Sequence, residues 1–179
     1  MRQPRRAPRP DPPDLSALPA LPDPPDALVG GGRVDPGSVG RWTPLPVDYA
    51  DVYTLRRADA HRWDAQTWAR AMFGDAPSLA ERFIWQVLLQ LRLRRDVSPA
   101  TVAGWPVVEC ADDLVRLETR SWHLTGTLVV STEPGSATLV TAVRYDRRAG
   151  GLVWPPLSAV HRRLVPGLLG DAYQRLARR

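Results

Sequence analysis

The chain has 179 residues, 44% of them hydrophobic, enough to bury one ordinary core and too few for two domains unless both are small. Its 24 cations, all arginine, face 19 acids for a net charge of +5, and the signs are interleaved, whereas a nucleic-acid footprint gathers charge on one face. No run reaches the ~18 consecutive apolar residues of a membrane helix, and the basic first ten residues lead into no apolar signal segment, so the reading is a cytoplasmic protein with no membrane and no nucleic-acid partner.

Twelve of the nineteen prolines lie in residues 1–46. Proline removes backbone donors and favours extended chain, and Gly30-Gly31-Gly32 adds freedom, so 1–46 reads as a disordered tail rich in Pro, Arg and Asp. The folded domain is then 47–179, and a chain starting at Thr43 is expected to fold as well as the whole. "VDYADVYTL" (47–55) has the short, Val/Tyr/Thr-rich look of a first strand. Asp64 can cap a helix with apolar positions Ala65, Trp68, Ala69 and Met72, which Gly74 ends. Ser78 and Glu81 form a capping-box spacing for a second helix with the stripe Ile84, Val87, Leu88, Leu91, running to Arg95.

From Trp105 the period becomes two. "WPVVECA" and "LVRLET" flank a turn at Asp112-Asp113, with Arg116 set to pair with Glu109 or Glu118 across the strands. "SWHLTGTLVVST" and "ATLVTAVRYD" flank Pro134-Gly135, a type II turn signal. Gly150-Gly151 reads as a turn into a short last strand, "LVW". Leu157 to Arg179 is helical by period, with Pro166 placed to kink it or restart it. The fold class is therefore α+β: a curved antiparallel sheet with two short helices after an edge strand, closed by a long C-terminal helix over its apolar face. The space between sheet and helix is the expected ligand site.

Four stretches carry a resemblance: "DYADVYTL" at 48–55, "WDAQTWARAMFGDAP" at 63–77, "HL" at 123–124 and "HRRLVPGLL" at 161–169. In order and spacing they resemble the bacterial family of unknown function DUF2867. The element order is similar to the helix-grip fold of START domains, pollen allergens and polyketide cyclases. The resemblance covers residues 48–179 and implies no established activity. That family usually places an acid and an arginine around the His-Leu pair, where this chain has Ser121, Thr125 and Thr127.

The chemistry-bearing residues are few. Cys110 is the single cysteine, which excludes an internal disulfide framework and a thiolate zinc site; in its apolar run it reads as an inert buried thiol. His61, His123 and His161 lack zinc-ligand spacing, so no metal is expected. No cofactor is expected either, since "GGGRVDPGSVG" lacks the strand and helix of a dinucleotide loop. His123 alternates with Ser121, Thr125 and Thr127 on one strand face, while Trp122, Leu124, Leu128 and Val130 take the other, which is expected to meet the helix. Gly126, on that apolar face, permits either strong curvature or close approach of the terminal helix. His161 anchors the start of that helix and is the better candidate for the site. Trp154 and Trp105, at strand ends beside prolines, complete the candidate ligand-binding set at the cavity rim. The leading function is a module enclosing a small apolar or amphipathic ligand. The alternatives are a cyclase- or dehydratase-type enzyme with His123 and His161 as acid and base, or an interaction protein acting through its tail.

Overall fold

The computed structural model describes residues 28–76 and 83–178. Seven strands form one curved antiparallel sheet in the order β1-β2-β7-β6-β5-β4-β3. They are β1 (Leu28–Val34), β2 (Tyr49–Arg56), β3 (Thr101–Val102), β4 (Trp105–Cys110), β5 (Leu114–Arg120), β6 (Leu124–Glu133) and β7 (Ser136–Tyr145). β6 and β7 pair without interruption from Leu124↔Tyr145 to Glu133↔Ser136, joined by the expected Pro134-Gly135 turn. Arg116 lies opposite Glu109 and bonds it at 3.0 Å. The helices are α1 (Ala65–Phe73) and α2 (Arg148–Ala177). Asp64 caps α1 by accepting from the backbone N–H of Thr67 at 2.6 Å and from its hydroxyl at 3.0 Å. The helix-grip architecture is present.

Both faces of the sheet are covered, unequally. On one face α1 and α2 bury the main core, where Trp68, Leu117, Leu139 and Leu169 lose nearly all their surface. Leu124, Leu128 and Val130 belong to this core, so the apolar face of β6 does turn towards the helix. On the other face Ala50, Val129 and Val140 form a small second core with Val39, from a one-turn 3₁₀ helix at Pro36–Val39.

Five expectations need correction. Residues 28–46 belong to the fold. β1 contains the three glycines and pairs along its length with β2, and the connection that follows buries Val39 and Thr43. Gly31 has φ +148°, and a Cβ on it would sit 2.1 Å from the Val52 carbonyl oxygen, so glycine here permits close strand pairing rather than flexibility. It follows that β1, and not β2, is the sheet edge on that side. The second helix is a single π-helical turn, Phe83–Leu88; its proposed capping box at Ser78 lies outside the described residues. Beyond it the chain forms neither helix nor strand, Arg92 N–H donating to the Arg120 carbonyl, so Leu89 and Leu91 are buried without helical phase. "LVW" (152–154) is helical, because α2 begins at Arg148 and takes in Gly150 and Gly151. A Cβ on Gly150 would lie 2.7 Å from the His123 carbonyl oxygen, so the small residue lets the helix start against the entry to β6. Finally, Cys110 is exposed, since β4 runs beyond short β3 and past a register shift between Val107 and Glu109.

Pro166 sits inside α2. Lacking an N–H, it frees the carbonyl of Arg162, one turn back. The Tyr53 hydroxyl on β2 donates to that oxygen at 3.3 Å, so the break in the helix ladder becomes a contact between helix and sheet.

Two measurements test this arrangement. Leu169→Ala removes a side chain with no exposure and should cost about 2–5 kcal/mol in urea titration. A chain starting at Leu28 should match the full chain in melting temperature. One starting at Thr43 lacks β1 and Val39 and should melt several degrees lower; equal melting of the two would show that β1 adds nothing.

Candidate functional site

Between α2 and the β6–β7 face lies a cavity of about 460 Å³, within the ~300–1,000 Å³ usual for small-molecule sites. Its floor is apolar, formed by Leu124, Leu128, Leu139 and Val143 of the two central strands. One flank is aromatic. Trp105 from β4 reaches over the sheet so that a Cβ on Gly126 would lie 3.2 Å from its Cη2. Its ring meets that of Trp85 edge-on at 5.6 Å, and Trp85 meets Phe73 at 6.3 Å. The close approach over Gly126 is thus made by Trp105 and not by the terminal helix. Val160 and Leu164 of α2 line the cavity while remaining 49% and 59% exposed, which puts the mouth beside this helix.

The opposite flank is polar and rests on β2. Asp51 shares the core-facing side of β2 with Tyr49, Tyr53 and Leu55 and has no exposed surface. The Tyr49 hydroxyl donates to Asp51 Oδ2 at 2.6 Å. Arg162 Nη1 donates to Tyr49 Oη at 3.2 Å and to Ser158 Oγ at 3.0 Å. His161 reaches the same carboxylate from the helix, with Nε2 3.3 Å from Oδ2 and 3.4 Å from Oδ1. Nε2 is also 3.0 Å from the hydroxyl of Thr141, which sits across from Asp51 in the β2–β7 register. The Thr141 hydroxyl can donate or accept, whereas a carboxylate only accepts, so the contact with Asp51 favours a proton on Nε2. Nδ1 then remains without a partner among the described residues. His161 and Thr141 both line the cavity, with Arg163 and Asp171 also along the helix side.

The candidate residues of the sequence divide three to one. His161, Trp154 and Trp105 all line the cavity. Trp154 and Trp105 are 5% and 4% exposed, inner walls more than rim, and Trp154 lies in α2 instead of at a strand end. The indole N–H groups of Trp154 and Trp105 are buried and have no acceptor among the described residues, a state that costs about 1–3 kcal/mol per group. His123 does not line the cavity. It precedes β6, is 1% exposed, and packs its ring against Trp122 at 4.8 Å while Nδ1 meets Ser121 Oγ at 3.1 Å. Burial holds its imidazole below the ordinary range, against the opposing pull of Asp146. Its carbonyl accepts from Arg147 N–H at the start of α2, a structural duty. An acid–base pair of His123 and His161 within the cavity is therefore not formed.

Sequence reading missed Asp51, Tyr49, Thr141 and Arg162. A signal was present for Asp51: alternation puts it on one strand face with two tyrosines and a leucine, an odd place for a solvated carboxylate. Among the described residues no group of His, Cys, Asp or Glu is arranged to hold a metal ion, and no helix is long and apolar enough to cross a membrane. Comparison with protein-family models, curated proteins and solved structures returned no match.

Burial first, and then the bond to Asp51, push the Tyr49 phenol up to about 12. The fold holds the neutral phenol, so its contribution is complete below the unfolded value near ~10 and is lost as pH rises towards about 12. Across that window wild type should lose stability more steeply than Tyr49→Phe in urea titrations. Parallel curves would mean that Asp51 does not hold the phenol.

Proposed function

We propose that the protein is a binding module that encloses a small apolar or amphipathic molecule between the sheet and α2. The observation that supports this most is the cavity itself: about 460 Å³ of space with an apolar floor, an aromatic flank and one polar group cluster at the other flank, the usual composition of a small-molecule site. Packing alone would favour filling such a space, because protein interiors rarely leave voids larger than a water. Two of the stretches that resemble DUF2867 contribute to the polar flank, Tyr49 and Asp51 from 48–55 and His161 and Arg162 from 161–169. That likeness is part of the proposal. A role for the Pro-, Arg- and Asp-rich tail concerns residues 1–27, outside those described.

The test is titration with a neutral apolar dye such as phenylnaphthylamine, alongside native mass spectrometry of freshly purified protein for a retained small molecule. Leu168 lines the cavity and is only partly buried, so Leu168→Trp should fill space without unfolding the chain. Wild type should bind the dye with saturable enhancement, and Leu168→Trp should weaken binding at least tenfold with its melting temperature unchanged. Absence of dye binding by wild type, or equal binding by the variant, would contradict the proposal.

A further inference from the structure

The sheet end opposite the start of α2 carries a second hollow, of about 320 Å³, between the β4–β5 turn, the β6–β7 turn and the residues before α1. We infer that this hollow binds guanidinium groups of the chain's own arginine-rich segment, residues 1–10, and ties that segment back onto the sheet. The hollow stands apart from the cavity and from the ligand proposed for it.

Three observations carry it. The first is unanswered charge. Asp112, Asp113 and Glu133 line the hollow, and their carboxylates make no hydrogen bond or ion pair with any described residue. Asp96, Glu109 and Asp146, elsewhere on the surface, each pair with an arginine. Like charges gathered around one concave site concentrate its field and draw a cation. Arg62 stands over the Trp63 ring at 5.7 Å and His61 lines the rim, yet neither bonds the three acids. The second is Thr132, which lines the hollow and is only 8% exposed. Its hydroxyl bonds no described residue and is not sealed from solvent, so the little surface this side chain keeps includes its oxygen and opens on the hollow. A free hydroxyl oxygen there accepts from an N–H, and a guanidinium offers several in a fork that also matches carboxylates. Among the described residues no three such groups are set to hold a metal ion, so the fitting cation is an extended one.

The third is supply and reach. Arg2, Arg5, Arg6 and Arg9 fall within the first ten residues. Strand register lines up Leu28, Arg56, Ser136 and Glu133 in one row across β1, β2, β7 and β6, so the chain enters β1 at the same end of the sheet as the hollow. Three strand spacings put the start of β1 about 14 Å from Glu133. Arg9 lies 19 positions before Leu28, and a chain of that length spans up to about 60 Å. All four arginines are therefore within range. The aspartates between them and β1 compete for the same arginines, and the variants below separate the two.

Cys110 is exposed, stands two residues before Asp112 and is the single cysteine, so a nitroxide attached to it in the full chain reports which amides come near the hollow. At low salt the backbone amides of Arg2, Arg5, Arg6 and Arg9 should lose at least half their NMR intensity. The triple variant Asp112→Asn, Asp113→Asn, Glu133→Gln should restore most of it with the melting temperature unchanged, because exposed ion pairs add little stability. Thr132→Val should restore part of it. Absence of broadening in wild type, or broadening as strong in the triple variant or in Thr132→Val, would overturn the inference. So would broadening found only when nitroxide and observed arginines lie on different chains of a mixed sample, which would make the occupant a second copy.

Discussion

A carboxylate taken wholly out of water costs several kcal/mol unless its oxygens are bonded and its charge is answered. Asp51 is in that position, on the inner face of β2, and the partners it needs come from different parts of the chain. Tyr49 serves it from the same strand, and His161 serves it from 110 residues further on. Arg162 answers the charge through the Tyr49 hydroxyl. Leaving such a buried acceptor without one of its hydrogen-bond partners typically costs about 1–3 kcal/mol, and more when the group is charged. The requirement therefore fixes where α2 can lie: its middle turns have to pass over β2 and β7 at the height of Asp51 and Thr141. An apolar helix face alone would tolerate sliding by a turn; the hydrogen bonds to the buried carboxylate do not.

Pro166 reinforces the same seating. The carbonyl it frees, on Arg162, is taken by Tyr53, two residues along β2 from Asp51 on the same face. The start of α2 is held separately, where Gly150 fits against the His123 carbonyl and Arg147 donates to it. Between these anchors the helix spans the sheet instead of settling into it. The side chains below it, Leu124 and Leu128 beside the bare Cα of Gly126, do not fill the gap. The cavity is thus a consequence of how the helix is fastened, and the residue that fastens it is also the cavity's polar group.

Side-chain pattern made much of this legible. Composition marked β2, period two marked β4 to β7, Asp64 marked the start of α1, and position on the strands narrowed the partner of Arg116 to two glutamates, of which Glu109 is the one it meets. The misses share a cause: their determinants are backbone contacts. Glycine leaves no pattern, so β1 looked like linker, although Gly31 is required by the approach of the Val52 carbonyl. Gly150-Gly151 and Pro155-Pro156 look like punctuation, yet all four lie within α2. His161 could be singled out as a rare titratable residue in an apolar helix, and the tryptophans by size. Asp51 could not be paired with it, because nothing local in "DYADVY" shows a partner arriving from a helix more than a hundred residues away.

The central claim is that Asp51 holds His161 with Nε2 protonated. Nitrogen NMR of the imidazole in histidine-labelled protein reads this directly, with the His161 signals assigned by comparison with His161→Gln. The account predicts that neutral His161 is the Nε2–H tautomer, and that Asp51→Asn redistributes the proton between the two nitrogens while the fold persists. A neutral His161 protonated on Nδ1, or a tautomer unchanged by Asp51→Asn, would contradict it.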